Sequence, residues 1–407
     1  MNSSLTMRDR RIRDIMSQSL TVMMAATAVL VAIGVFMVFS ATAPSSIRSL
    51  DADPTGKLFA IAIKQAAFAA GGVAVGLLIA KFIPAQLIKV TANGIFGGAL
   101  ALQAMVFVLG SHSVGGNTNW LRVGPVSLQP SEFLKAALII WLAVELSQRT
   151  VKEMADWHNF RRPILGFGLA IGLVLFGGDV GTGLIFILIA VGLAFVAGIA
   201  LKVFIVPAIL GGLLVGVMVA FRPSRMNRIA DFLANFWNLP DIHEPTQADY
   251  ALFAFGSGGV SGVGIGAGKE KWRDLAEAHT DFIFAVVGEE LGFLGCVTII
   301  ALFVALGWAL MRICLFHPDR YAQFVAGGTA LWLIGQAIAN MFVVSGLLPV
   351  FGVPLPFVSM GGSSMIASLV MLGIVAGTVL TVPGVRQSLR INPRLASKAT
   401  SVLRRNR

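Results

Sequence analysis

The chain is poor in charged residues. Asp, Glu, Lys and Arg make up only 13% of its 407 residues, while hydrophobic residues make up 56%. A soluble globular domain carries about 25% charged residues. The composition therefore excludes an ordinary cytosolic enzyme and a disordered chain.

Cysteine and the short motifs of common soluble enzymes are also scarce. The 2 cysteines, Cys296 and Cys314, lie on one predicted helix, roughly 27 Å apart at ~1.5 Å per residue. That separation excludes a disulfide between them. The sequence has no Walker phosphate loop, no His-Glu-x-x-His zinc motif and no Gly-x-Ser-x-Gly nucleophile elbow.

Long apolar runs dominate the sequence instead. A helix that spans a membrane needs about 20 consecutive apolar residues. This length criterion predicts an all-α, polytopic membrane protein with ten transmembrane helices, of which the eighth and ninth are long enough to tilt or kink. The predicted spans are 19–41, 58–81, 91–110, 131–147, 162–178, 181–200, 202–221, 281–312, 320–346 and 359–383.

The positive charges indicate how these helices are oriented. The net charge is +11, but the charges lie at the ends of apolar runs and form no stripe for nucleic acid. Most Lys and Arg residues fall on one side if the N-terminus is cytoplasmic, and basic residues favour the cytoplasmic side. We therefore expect both termini in the cytoplasm.

This orientation divides the chain into three parts. Residues 1–18 form a cytoplasmic tail, 19–383 form the membrane domain, and 384–407 form a basic cytoplasmic tail. A large extracytoplasmic loop, 222–280, joins the seventh and eighth helices. Its glycine-rich, apolar stretch 251–268 is typical of backbone that packs against protein or dips into the membrane.

A first polar cluster precedes and enters the fourth predicted helix. Glu132 and Lys135 are three residues apart and therefore share a helix face. Two interpretations stay open for them: a structural ion pair, or the polar wall of a substrate cavity. Arg122 lies just before this helix, and a lipid phosphate is one candidate ligand for it.

A second cluster lies where the long outer loop enters the eighth helix. Asp281 is predicted at the outer end of that helix, where a carboxylate walled by apolar residues can act as a general base. A helix cap is the alternative role for it. His279 is a candidate to orient Asp281 or to bind phosphate. Glu289 and Glu290 lie deeper, and at least one should face a polar cavity or a basic partner.

A third cluster, 346–364, combines prolines and glycines with a Gly-Gly-Ser-Ser helix start. Backbone N–H groups at a helix N-terminus favour anions, so a pyrophosphate near Ser363 is one interpretation. Close helix packing through small residues is the other.

Basic residues also occur on the predicted outer side, against the general trend. Arg225, Arg228, Lys269 and Lys271 lie in the long outer loop. Positive charge there indicates an anionic ligand such as a phosphorylated lipid.

These three clusters, in this order, resemble the SEDS family (shape, elongation, division and sporulation proteins). The matching stretches are 124–135, 277–292 and 346–364, and the ten-helix plan extends the resemblance over nearly the whole chain. The sequence departs from the family pattern at Ala276, where proline is usual, and at Met360, where tyrosine is common. Gly177-Gly178 replaces the usual Gln/Glu-Pro.

The resemblance implies a peptidoglycan glycosyltransferase of the bacterial plasma membrane that polymerises lipid II into glycan. It implies that Asp281 is the catalytic aspartate and that Glu132 and Lys135 are the family's intramembrane charged pair. The stretch 264–272 is more similar to the division members of the family than to the elongation members. An elongation-type polymerase, a lipid II flippase and a non-catalytic scaffold remain as alternatives.

The resemblance also implies partners. These are lipid II and the nascent glycan, a class B penicillin-binding protein as transpeptidase, other membrane proteins of the division machinery, and membrane lipids. A divalent cation, Mg²⁺ or Mn²⁺, is compatible with a pyrophosphate leaving group, but the sequence contains no dedicated metal site.

Overall fold

A computed structural model describes most of the chain as a helical bundle. It covers residues 6–52, 59–109, 119–124, 126–150, 153, 157–199, 245–272 and 277–389, with isolated positions between 209 and 234. The helices are α1 (Met7–Ala52), α2 (Ala60–Phe82), α3 (Ala85–Leu109), α4 (Pro130–Ser147), α5 (Arg161–Phe176), α6 (Val180–Val196), α7 (Gln247–Gly258), α8 (Ile283–Phe316), α9 (Arg320–Val344), α10 (Gly362–Val379) and α11 (Val385–Ser388).

The polytopic, all-α class predicted from the sequence is confirmed. Within the described residues, 7 helices are long and apolar enough to cross a membrane, and α6 is a shorter apolar helix. Nine of the ten predicted spans coincide with described helices, and the seventh, 202–221, lies outside the described residues except for isolated positions. α7 is therefore not the predicted seventh span but a short helix in the predicted outer loop.

The predicted boundaries differ from the structure most clearly at the N-terminus. α1 has 46 residues, which is roughly 69 Å of helix, so residues 7–18 continue the first span as helix. The third span also begins earlier than predicted, at Ala85. Hydropathy detects where a helix is apolar, whereas the hydrogen-bonded helix extends beyond the apolar part.

A small hairpin stands outside the helical plan. Strands β1 (Leu121–Val123) and β2 (Val126–Leu128) pair antiparallel, with Val123 opposite Val126. We call the end of the bundle that carries this hairpin and the 277–282 turn the hairpin end. The opposite end, where α1 begins and α11 lies, is the tail end.

α8 is broken inside its span. Gly292 has φ 66° and ψ −164°, a conformation that is essentially restricted to glycine. A Cβ at this position would lie 2.3 Å from the Gly262 nitrogen. The break therefore requires glycine both for its backbone angles and for the close approach of the 259–264 segment.

The glycine-rich segment packs against α8 at this break; its composition predicted backbone packed against protein, but not this position. Val263 N donates to the Glu289 carbonyl at 2.9 Å, and Phe293 N donates to the Gly259 carbonyl at 2.9 Å. The backbone groups that the break releases from the helix ladder are thus satisfied by the segment, which is the condition for irregular backbone at membrane depth.

The protein core lies along α4, α9 and α10 and the first turns of α8. Large, fully buried side chains there include Leu134, Leu138, Trp332 and Phe282. α2, α3 and α5 present many exposed apolar side chains, such as Leu78, Val90 and Leu165. The buried elements are the ones that lead to the hairpin end, and they position the candidate site.

Candidate active site

The second and third polar clusters meet at the hairpin end of the bundle. Ser359 Oγ donates to the Thr280 carbonyl at 2.6 Å and accepts from Leu355 N at 2.8 Å. Met360 N donates to the His279 carbonyl at 2.9 Å. These bonds join the turn before α8 to the loop before α10, so two motifs about 80 residues apart in sequence form one structure.

Asp281 lies in this joined region with its side chain half-buried. The N-cap position of α8 is Phe282, which makes no side-chain cap hydrogen bond, and Asp281 directly precedes it. The loop backbone approaches the carboxyl closely, because a Cβ placed on Gly352 would lie 3.5 Å from Asp281 Oδ2. Gly352 has φ +71°, so glycine suits this position for its backbone angle as well.

The first cluster joins the same assembly through α9. Lys135 Nζ forms an ion pair with Glu132 at 2.9 Å and donates to Gln336 Oε1 at 2.9 Å. Gln336 Nε2 in turn donates to the Pro354 carbonyl at 2.8 Å. The side chains of Lys135 and Glu132 are 1% and 2% exposed. This burial favours the structural ion pair over the wall of an open cavity.

Further amide side chains bind the loop before α10. Gln65, on α2, donates to the Ser359 carbonyl at 3.1 Å and accepts from Gly361 N at 3.2 Å. Gln129, just before α4, donates through its backbone N–H to Ser363 Oγ at 2.9 Å. Ser363 is buried, and its hydroxyl joins the start of α4 to α10. The pyrophosphate contact near Ser363 stays a prediction.

Glu289 and Glu290 anchor the predicted outer loop to α8. Glu289 accepts from the backbone N–H of Lys269 at 2.5 Å. Glu290 forms an ion pair with Lys271 and accepts from Ser40 Oγ of α1 at 2.7 Å. The expectation that one of these glutamates has a basic partner agrees with the structure. The predicted pyrophosphate contact of Lys271 does not, because its ammonium is completely buried against Glu290.

The remaining predicted residues have different surroundings. Arg122, on β1, and Lys269 are exposed at the hairpin end, where an anionic ligand can reach them. Arg225 and Arg228 lie outside the described residues. Burial lowers the pKa of the His279 imidazole and opposes the effect of Glu277, which raises it. His279 is therefore neutral at pH 7 and offers a phosphate a hydrogen bond but no charge.

Sequence reasoning missed the amide residues of the site, Gln65, Gln336 and Asn340. All three are at most 1% exposed inside apolar helices. A buried amide is costly unless it is hydrogen-bonded, and Gln336 and Asn340 share a face of α9 because they are four residues apart. That pattern is visible in the sequence, but the search for site residues considered only ionisable side chains in apolar helices and not amides.

The described residues offer no protein site for a metal. No group of three or more His, Cys, Asp or Glu side chains comes together among them in a way that would hold an ion. Mg²⁺ is usually held by one or two carboxylates together with substrate phosphates, which needs no such cluster, so the divalent cation expected from the sequence stays a prediction.

The fold and the site together define a multi-pass membrane protein with a half-buried carboxylate at one end of its bundle. The sequence matches the cell cycle protein family of FtsW, RodA and SpoVE over residues 20–380. The chain belongs to this family, which is the SEDS family, and within it the chain is FtsW-like.

Individual relatives agree with this assignment. The chain is 34% identical over 351 residues to a probable peptidoglycan glycosyltransferase FtsW of Geobacter sp. (strain M18), covering 85% of this chain and 92% of the relative. It is also 34% identical over 351 residues to stage V sporulation protein E of Bacillus subtilis (strain 168), covering 86% and 93%.

Solved structures agree as well. A chain from a structure described as a peptidoglycan synthase complex that coordinates polymerization and crosslinking superposes with a TM-score of 0.68 at 26% identity, covering 89% of this chain and 97% of that one. The rod shape determining protein RodA of Thermus thermophilus superposes with a TM-score of 0.63 at 25% identity, covering 89% and 96%.

Proposed function

We propose that this protein is a peptidoglycan glycosyltransferase that polymerises lipid II into glycan strands for septal wall synthesis. The observation that carries the proposal is the junction of all three polar clusters around Asp281. The names of the relatives support this reaction class, and FtsW names favour a division role over an elongation role.

In the proposed mechanism Asp281 is the general base. Its carboxylate takes the proton from the 4-hydroxyl of the acceptor sugar as that oxygen attacks C1 of the donor. The C1–O bond to the polyprenyl pyrophosphate breaks, the pyrophosphate leaves with the bonding electrons, and the anomeric configuration inverts to give a β-1,4 link. Because pyrophosphate is already a good leaving group, positioning and base catalysis are the main tasks of the protein.

The surroundings of Asp281 support this role. The carboxyl is half-buried at the end of the bundle and lies close to the backbone of Gly352, which has no side chain to obstruct a sugar. Arg122 and Lys269 are exposed at the same end. We propose that they attract the pyrophosphate charge, together with Arg225 and Arg228.

We also propose the setting of the reaction. The protein lies in the bacterial plasma membrane with its hairpin end outside, where lipid II is exposed. A class B penicillin-binding protein cross-links the product, and other division proteins and membrane lipids contact the helices. The similar chain from a peptidoglycan synthase complex, which coordinates polymerization and crosslinking, supports a transpeptidase partner.

Replacement of the proposed base tests the function. General-base loss typically costs about 10²–10⁴-fold in rate, so Asp281→Asn should insert and fold but form almost no polymer from purified lipid II. Asp14→Asn is the matched control. It is the same Asp-to-Asn substitution, made on an exposed side chain at the tail end. The readout is glycan length on a gel, for protein purified with its transpeptidase.

Two results would contradict the proposal. Near-normal polymerisation by Asp281→Asn would remove the aspartate from the mechanism. If the wild-type preparation formed no glycan but still moved lipid II across vesicle membranes, the result would instead favour a flippase, because transport forms no bond.

A further inference from the structure

α9 presents two buried amide side chains to the loop beside Asp281. Gln336 is 0% exposed and Asn340 is 1% exposed. They are four residues apart and so lie on one face of the helix. We call this pair the α9 clamp.

Asn340 connects Asp281 directly to the loop. Its Nδ2 donates to the Asp281 carbonyl at 2.8 Å and to the Val353 carbonyl at 2.8 Å, so both amide hydrogens are used. Its Oδ1 is buried and has no partner among the described residues. Asn340 therefore acts at this site through its two donors.

The Asp281 carbonyl needs such a donor because it precedes the helix. The first backbone bonds of α8 reach the carbonyl of Phe282, which accepts from Ala285 N at 3.0 Å. Asn340 donates to the carbonyl one residue before Phe282 and so fixes the backbone of Asp281 itself. The second hydrogen of the same Nδ2 group is donated to the carbonyl of Val353, the neighbour of Gly352.

Gln336 holds the next residue of the loop. Its Oε1 accepts from Lys135 Nζ at 2.9 Å and from Trp332 Nε1 at 3.0 Å. These donors orient the amide, so that Nε2 is directed to the Pro354 carbonyl at 2.8 Å. The buried ion pair on α4 thereby acts on the loop through Gln336.

We propose that the α9 clamp is a positioning device for the proposed base, which extends the proposed function above. Asn340 and Gln336 hold the carbonyls of Val353 and Pro354, and Asn340 also holds Asp281. The clamp thus sets the distance between the Asp281 carboxyl and the Gly352 backbone. In the proposal neither residue touches the reacting atoms: Asn340 acts on the Asp281 backbone directly, and Gln336 acts through the loop that carries Gly352.

The first test measures the local structure without substrate. Asn340→Leu keeps the approximate shape of the side chain and removes both donors. We expect faster amide hydrogen exchange in peptides covering 279–283 and 351–356 of the full-length protein, and unchanged exchange elsewhere. The matched control is Thr329→Val, because Thr329 is equally buried on α9 but donates only to Val325 of its own helix.

The second test measures catalysis. Misplacing a catalytic group by about 1 Å can cost roughly 10²-fold, so kcat of Asn340→Leu on lipid II should fall about 10–100-fold while KM stays nearly constant. Thr329→Val should retain kcat. If Asn340 acts through Asp281, the double variant Asp281→Asn/Asn340→Leu should be no slower than Asp281→Asn alone.

Each outcome decides the matter. Unchanged exchange in the two segments, an unchanged kcat, or fully additive losses in the double variant would each overturn the clamp. If the wild type and Asn340→Leu were equally active, the proposed role of the α9 clamp would be contradicted, but the assignment of Asp281 as the base would not. An active Asp281→Asn variant would contradict the assignment of Asp281 as the base, and therefore also the proposal that the α9 clamp positions that base.

Discussion

Gln65, Gln336 and Asn340 each lie inside an apolar helix and each hold backbone groups of the loop before α10. A loop of this kind exposes carbonyl and N–H groups that need partners wherever water is excluded. Amide side chains supply donors and acceptors without introducing a charge. At the scale of residues, the loop before α10 is therefore held in place by hydrogen bonds from neutral amides, and the charged side chains of the site lie next to these bonds.

A buried histidine at the tail end provides a prediction on pH. His317 is 2% exposed; its Nδ1 accepts from Asp319 N at 3.0 Å, so its Nε2 carries the proton toward the Thr378 carbonyl at 3.2 Å. Burial lowers the pKa of His317 below 6.5. The unfolded chain therefore binds more protons than the folded one just below pH 6.5, and stability falls as the pH decreases.

Replacement of His317 should remove part of this dependence. Thermal unfolding of the purified protein should occur at lower temperature at pH 5.5 than at pH 7.5, and His317→Gln should reduce that difference. His158→Gln, at an exposed position, serves as the control. An identical pH dependence in His317→Gln and wild type would contradict the assignment.

The sequence identified some residues of the site and missed others for a physical reason. Asp281, Glu290 and the pair Glu132 and Lys135 stand out because ionisable groups in apolar surroundings are costly. The burial of Lys271 was not predicted, because its partners Glu290 and Ser40 are 19 and 231 residues away in sequence. Such long-range pairing depends on how α1, α8 and the outer loop pack.

At the scale of elements, apolar length predicted the helices well and the irregular parts poorly. The β1–β2 hairpin was missed because two three-residue strands carry almost no periodic signal. The break in α8 was foreseen only as a kink somewhere in a long helix. Its position depends on where the 259–264 segment inserts, and a local pattern does not encode that contact.

A substitution at the break tests its dependence on glycine. Gly292→Ala places an alanine in a backbone conformation that costs a non-glycine residue about 1–3 kcal/mol. The new Cβ would also clash with the Gly262 nitrogen. We expect a clearly lower unfolding temperature in detergent. Gly94→Ala is the control, because a Cβ there meets nothing within 4 Å, and it should leave the unfolding temperature unchanged or raise it slightly. Equal effects of both changes would contradict the proposed requirement for glycine.

At the scale of the whole molecule, the hairpin end and the tail end differ in chemistry. The hairpin end gathers the three polar clusters and the glycine-rich segment. The tail end carries the basic start of α1 and Arg386 of α11. This asymmetry underlies the expected orientation, with the tail end in the cytoplasm.

Cysteine labelling tests this orientation. Both native cysteines are buried, so they should react slowly. In right-side-out membrane vesicles, Lys269→Cys should react with a membrane-impermeant maleimide, whereas Arg386→Cys should react only after permeabilisation. Both positions are exposed in the structure. The reverse labelling pattern would place Asp281 on the cytoplasmic side and contradict the proposed reaction.

The glycine-rich segment has a consequence for engineering the protein. By composition, 259–268 looks like a linker that would accept an epitope tag or a fluorescent fusion. Its backbone, however, completes the hydrogen bonding of α8 on both sides of Gly292. A foreign insert there would expose unpaired backbone groups of a transmembrane helix to lipid. Reporters should therefore be fused at the chain ends. The stretch that looks most permissive is among the least replaceable.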